Sequence, residues 1–247
     1  MKKAFTLIEL ALAIIIIGIL VSTILAASEF RRAAEIRATM KQLLDYQVAY
    51  NSFQDRYDAR PGDFGRAYDF WPDNCGSELF CNGNGDGLIQ GYKEVHLAWM
   101  HLSNSNFIKG EFAGEGYLND ETQLRGYNAP DGYLRGTQVS LTYKMFDLDN
   151  LPNTHYLVLG GYKENDIGFG ATITPLHAAR IDDKMDDGTP NGHLLGRNGY
   201  RDGSWDLAEC MVDEGDIPMA NEGDLTGAQY YENQGNTQEC ILAFIVD

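Results

Sequence analysis

The sequence predicts an α+β fold: a long N-terminal helix packed against an antiparallel β-sheet, with extended loops stapled by disulfides. Three patterns carry this. The first 57 residues change from uniformly apolar to one-sidedly apolar, short alternating or wholly apolar runs appear beyond residue 137, and all four cysteines fall in the Gly-, Asn- and Asp-rich remainder. A chain of 247 residues with 44% apolar side chains can build one substantial core plus an appendage.

The N-terminal segment is the most informative. Leu10 to Ala27 is 18 residues without a charge, the length at which an apolar helix spans a bilayer. Lys2 and Lys3 precede it, so the positive-inside rule places Met1 in the cytoplasm and the remainder across the membrane. A removable signal peptide shares the basic start and the small residues at Ala26-Ala27-Ser28. Two features argue against that reading. Glu9 interrupts the apolar stretch near its beginning, and the helical pattern does not stop at Ser28. Ile36, Met40, Leu43, Tyr46, Tyr50, Phe53 and Tyr57 recur at intervals of three and four, forming one stripe along a helix. The expected divisions are a leader at 1–4, a membrane-spanning helix at 5–27, an amphipathic helix at 28–57 and a globular extracytoplasmic head at 58–247.

Glu9 needs a reason. A carboxylate in hydrocarbon costs about 2.5–3.5 kcal/mol on insertion scales and is expected to find a counter-charge. A cut after Ala4 exposes a positive amino group at Phe5, four residues before Glu9. That amine can pair with Glu9 of a neighbouring copy, and the arrangement repeats without closing, which builds a filament. The alternative is a Glu9 that sits at the headgroups, hydrated or protonated.

The run Lys2-Lys3-Ala4 followed by Phe5-Thr6-Leu7-Ile8-Glu9-Leu10 resembles the processing site of type IV prepilins and type II secretion pseudopilins. The resemblance implies cleavage between Ala4 and Phe5 by a prepilin peptidase in the inner membrane and methylation of the new Phe5 amine. It also implies docking of Glu9 onto a neighbour's Phe5, and a pilin-like fold. An assembly ATPase, a platform membrane protein and other pilin subunits are the implied partners. The head would face the periplasm first and the cell surface later. Two departures stand out: Ala4 occupies a position usually held by glycine, and Ala26 lies where many pilins have a helix-breaking proline. A pseudopilin of a type II secretion system is the related alternative. A secreted binding or catalytic domain behind a removable signal peptide is the alternative of another class.

In the head, Asp58-Ala59-Arg60-Pro61-Gly62-Asp63 predicts a helix stop and turn, then a short helix from an Asp63 cap through Trp71, ended by Pro72. Asn82-Gly83-Asn84-Gly85-Asp86-Gly87-Leu88-Ile89 copies the opening of a calcium-binding loop: oxygen side chains at alternate positions, glycine at the sixth, an apolar pair after it. Asn82, Asn84, Asp86, the Leu88 carbonyl and Glu94 are the candidate Ca2+ ligands. Lys93 stands at the twelfth position, which excludes a strict EF-hand, and a plain Gly/Asn turn is the alternative. Residues 93–108 read as a helix.

Farther along, 138–145 alternates Val139, Leu141, Tyr143 and Met145 and reads as a half-buried strand, 155–159 and 169–173 as further short strands, and 147–150 as a turn. Thr174-Pro175 caps a helix to about Asp186, and the terminal apolar run from Cys240 is a buried strand. Asp182, Asp183, Asp186 and Asp187 crowd the end of that helix and suggest a solvated acidic edge or, second, a cation site. Residues 196–239 show little periodicity. Four cysteines allow three pairings, of which Cys75 with Cys81 and Cys210 with Cys240 is the simplest.

Charge narrows the partners. Six cations and three acids among residues 1–41 leave -20 for the rest of a chain whose total is -17. Such a head repels phosphate backbones, which argues against nucleic acid and suits divalent cations. The glycine spacing at 83, 85 and 87 fits neither a phosphate loop nor a dinucleotide fingerprint, no G-x-S-x-G elbow is present, and His96 and His101 are five apart. The sequence carries no enzyme signature.

Overall fold

The computed structural model describes residues 7–115, 121–144, 153–200, 209–213, 219, 227–231 and 237–246. Helix α1 runs unbroken from Leu7 to Tyr57. At 1.5 Å per residue, its 51 residues reach roughly 77 Å. No proline interrupts it. The hydroxyls of Ser22 and Thr23 donate to carbonyls of the preceding turn, at Gly18 (2.9 Å) and Leu20 (2.8 Å), so these polar groups are satisfied within the helix itself. The helix ends at Asp58, whose φ of 49° is left-handed.

The two halves of α1 differ in burial. Every described side chain from Leu7 to Phe30 is exposed, and the helix is long and apolar enough to cross a membrane. Farther on, Ile36, Leu43, Ala49, Tyr50 and Phe53 are buried, with Met40, Tyr46 and Tyr57 packed at the margin. The stripe read from spacing is therefore the packed face.

Short helices α2 (Ala67–Phe70), α3 (Pro72–Cys75) and α4 (Glu78–Cys81) follow, then α5 (Gly91–Asn104). Of the helix expected from Asp63 through Trp71, only Ala67–Phe70 is helical: Arg66, not Asp63, precedes it, and Pro72 opens α3 rather than ending its predecessor. Proline suits a first helical turn, where its missing N–H has no partner to lose.

Strands β1 (Thr137–Tyr143), β2 (His155–Gly161), β3 (Leu194–Asn198) and β6 (Cys240–Ile245) form an antiparallel sheet in the order β1-β2-β6-β3. A two-residue hairpin, β4 (Met211–Val212) with β5 (Gln229–Tyr230), stands apart. Helix α6 (Pro175–Met185) starts as expected, the Thr174 hydroxyl accepting from His177 N–H. The helix partners of α1 are α5 and α6, which lie in turn on β1 and on β3 and β6.

Three expectations about strands are corrected. β1 is buried along both faces, not half-buried, because Gln123 and Gly168 cover it opposite α5. Residues 169–173 make only isolated bridges, Gly170 to Gly161 and Tyr200, and Ile173 to Cys240. β3 runs into the stretch 196–239 read as having little periodicity, and the hairpin lies within it. The turn expected at 147–150 lies outside the described residues. Disulfides join Cys75 to Cys81 and Cys210 to Cys240, the latter tying the hairpin to the sheet.

Candidate functional site

The loop 82–90 folds around a buried acid that lies well before it in sequence. Asp63 is 3% exposed and accepts three successive main-chain N–H groups: Oδ1 from Gly85 (2.6 Å) and Asp86 (3.1 Å), Oδ2 from Gly87 (2.7 Å). A row of N–H groups wrapped on a carboxylate is an anion-holding nest made within one chain. The approach is close, since a Cβ on Gly83 would lie 2.3 Å from the Gly62 carbonyl.

Glu94, in the first turn of α5, completes the arrangement. Its Oε1 accepts from Asn84 N–H (3.0 Å) and its Oε2 from Gln90 N–H (3.1 Å). It thus caps its own helix start and pins the middle of the loop. Burial raises the pKa of Glu94 above the ordinary carboxylate value, and the two N–H bonds oppose that rise. Asp86 accepts from Leu88 N–H (2.9 Å) and the Gln90 amide (3.0 Å). One oxygen each from Asp63, Asp86 and Glu94 lies within 4.8 Å of the others, a spacing a hard oxygen-seeking cation can use.

The expected ligand set is only partly assembled. Asp86 and Glu94 converge. Asn82 spends its side-chain oxygen on Tyr68 N–H (2.8 Å), and Asn84 spends its own on Asp86 N–H (2.8 Å). Asp63 takes the place that alternation assigned to the asparagines. Nothing in the loop points to it, and only the turn at Pro61-Gly62 hints that the chain doubles back there.

The support beneath the loop is polar and buried. His101 is fully buried; its Nδ1 accepts from Gly62 N–H (2.8 Å), leaving Nε2–H to donate to the Cys81 carbonyl (2.7 Å). Burial pushes its pKa down to about 4, so the ring is neutral. His155 accepts from Ile89 N–H (3.2 Å), and Arg60 bridges Tyr50 to the Gly87 carbonyl. These histidines hold main chain rather than a metal.

A second group, Asp182, Asp186 and Asp187, also brings three carboxylate oxygens within 4.8 Å. The solvated edge expected here is only partly that, because Asp182 is fully buried and accepts from Tyr230 O–H (2.5 Å). Burial raises its pKa to about 6.

At the other end of the molecule, Ala4 and Phe5 lie outside the described residues, and Glu9 is exposed in the first turn of α1. Comparison with protein-family models, with curated proteins and with solved structures finds no match.

Proposed function

We propose that this chain is a structural subunit of a type IV pilus-like filament, rooted in the inner membrane and assembled through its N-terminal helix. One observation carries the reading: a single unbroken helix whose first half is apolar and exposed on every side and whose second half is the packed edge of a folded head. A signal peptide needs no rigid continuity with the domain behind it. A subunit that leaves the bilayer to enter a bundle does, because the bundle replaces lipid around the same surface.

On this reading a prepilin peptidase cuts after Ala4. The Phe5 amine, methylated, meets Glu9 of the adjacent copy, and an assembly ATPase and platform protein drive subunit addition. Asp63, Asp86 and Glu94 hold a divalent cation of the calcium type, which relieves the repulsion of three carboxylates in one loop.

N-terminal sequencing of the mature chain is the direct test. A start at methylated Phe5 is the expected result; a start near Ser28 ends the filament reading. Glu9→Gln, expressed at wild-type level in cells lacking native copies, is expected to abolish fibres while leaving the head folded. Shearing the cells then separates long surface fibres from the short periplasmic assembly of a pseudopilin.

A further inference from the structure

An asparagine followed by glycine is a bond at which a chain can modify itself. The glycine nitrogen attacks the asparagine side-chain carbonyl, ammonia leaves, and water opens the resulting cyclic imide. This chain has four such pairs, at Asn82–Gly83, Asn84–Gly85, Asn191–Gly192 and Asn198–Gly199. The fold treats them differently.

Asn198 is 2% exposed; its oxygen receives Cys210 N–H, its amide donates to the Met219 carbonyl, and Gly199 N–H is held by the Glu239 carbonyl. At Asn82 the oxygen is held by Tyr68 N–H and Gly83 N–H by the Phe64 carbonyl, with Gly83 wedged against main chain. Gly192 is crowded by the Asp186 carboxylate, which is bonded to His193 and Leu194 N–H. The carbonyl partners of Gly83 and Gly199 N–H cannot take the proton that the attacking nitrogen must lose.

Asn84–Gly85 is arranged the opposite way. Both residues are exposed, and a side chain on Gly85 would meet nothing within 4 Å. Gly85 N–H points at a carboxylate, Asp63 Oδ1, at 2.6 Å. The Asn84 side-chain oxygen accepts from Asp86 N–H at 2.8 Å. Nucleophile, base and a donor for the developing oxyanion therefore stand in one loop.

We propose that Asn84–Gly85 is a self-processing site, at which the folded loop converts its own asparagine into a carboxylate. In the cation-free loop, Asp63 takes the proton from Gly85 N as that nitrogen bonds to Asn84 Cγ. Because the proton moves onto Asp63, the acidic loop gains no net charge in this step. Asp86 N–H holds the charge that gathers on Asn84 Oδ1. The Cγ–Nδ2 bond then breaks, Nδ2 leaves with the proton returned by Asp63 as ammonia, and one water opens the imide to aspartate or its backbone-lengthened isomer. The balance is amide plus water to acid plus ammonia. The product sets a fourth carboxylate beside Asp63, Asp86 and Glu94.

The test compares one sample folded and unfolded. The full chain in detergent is aged in buffer and, separately, in urea, then digested. Peptide mass spectrometry follows the mass gain of amide-to-acid conversion at each of the four pairs. In the folded chain, conversion at Asn84 is expected at least roughly a hundredfold faster than at Asn82 or Asn198, the low end of what a positioned base contributes. In urea that advantage disappears. Equal rates at Asn84 and Asn82 in the folded chain, or a faster Asn84 in urea than in buffer, overturn the proposal. Asp63→Asn is expected to bring Asn84 down to the Asn82 rate; an unchanged rate in a folded variant removes Asp63 from the chemistry and overturns the mechanism. Should that variant fail to fold, the wild-type comparison alone decides.

Discussion

The two halves of α1 share a backbone and differ in what surrounds them. From Leu7 to Phe30 the described side chains are exposed, so none of the described residues buries Ile14, Ile15, Ile16 or Ile17. From Ile36 to Tyr57 a single stripe is covered by the head. A helix apolar all round needs an apolar environment on every side, whereas a striped helix needs only one partner face. The comparison teaches that the first half is built for a surrounding outside this chain and the second for one inside it.

The contrast can be broken most severely at Phe53. It is fully buried, stacked on His101 with ring planes 7° apart and close to Phe64, Trp71 and Phe107. Phe53→Ala is expected to cost the head about 3–5 kcal/mol in denaturant titrations. Ile15→Ala, an equally apolar truncation in the other half, should change head stability by less than about 0.5 kcal/mol. A similar loss at both positions would erase the distinction. Ile15→Lys sharpens it from the other side: membrane retention falls, since a lysine at a helix centre costs about 2.5–3.5 kcal/mol on insertion, while the unfolding midpoint of the head stays where it was.

Smaller effects are expected around the loop that α1 helps to support. Chelation of divalent cations is expected to lower the melting temperature of the head, and Asp86→Ala to remove the difference between chelated and loaded samples. An unshifted melting curve on chelation leaves the three carboxylates to their role of organising main-chain N–H groups. In either outcome Asp63→Ala destabilises, because three N–H donors lose one acceptor. Each donor left buried without a partner costs about 1–3 kcal/mol, and water entering the loop offsets part of that.

Acidity separates the halves most gently. His101 is neutral when folded, with its pKa lowered by burial from 6.5 to about 4. Between those values the unfolded chain binds a proton that the folded chain refuses, so stability falls as pH drops from 6.5 toward 4. Asp182 acts in reverse. Its pKa is raised from 3.8 to about 6, so the folded chain holds a proton there that the unfolded chain has lost, and stability declines as pH rises through that window. His101→Asn, which keeps one acceptor and one donor, is expected to flatten the acid arm of the stability curve, and Asp182→Asn the opposing arm. Neither change should touch helicity in the first half of α1.

How much of this was legible depends on the range of the interaction. The stripe from Ile36 to Tyr57, the Thr174-Pro175 start of α6 and the two local disulfides follow from spacing of a few to thirty residues, and each stands where the sequence placed it. β3 was missed because Leu194–Asn198 has only two apolar side chains and gains its burial from β6, its sheet partner across more than forty residues. Half of the candidate cation loop was visible. Asp86 and Glu94 converge as their spacing suggested, but Asn82 and Asn84 turned to nearby N–H groups, as short amide side chains readily do.

The sequence by itself determined that a long helix begins apolar on all sides and continues apolar on one, because helical periodicity is local and needs no partner to be read. It also determined an acidic head, since charge is a sum over residues. Only the tertiary structure decided which acid organises the loop, that Gly85 N–H donates to a carboxylate, and that Asp182 is buried beneath Tyr230. Those are matters of approach between distant segments: Asp63 reaches Gly85 across a sequence separation of 22, and a hydrogen bond is specified by where two atoms meet, not by the residues between them.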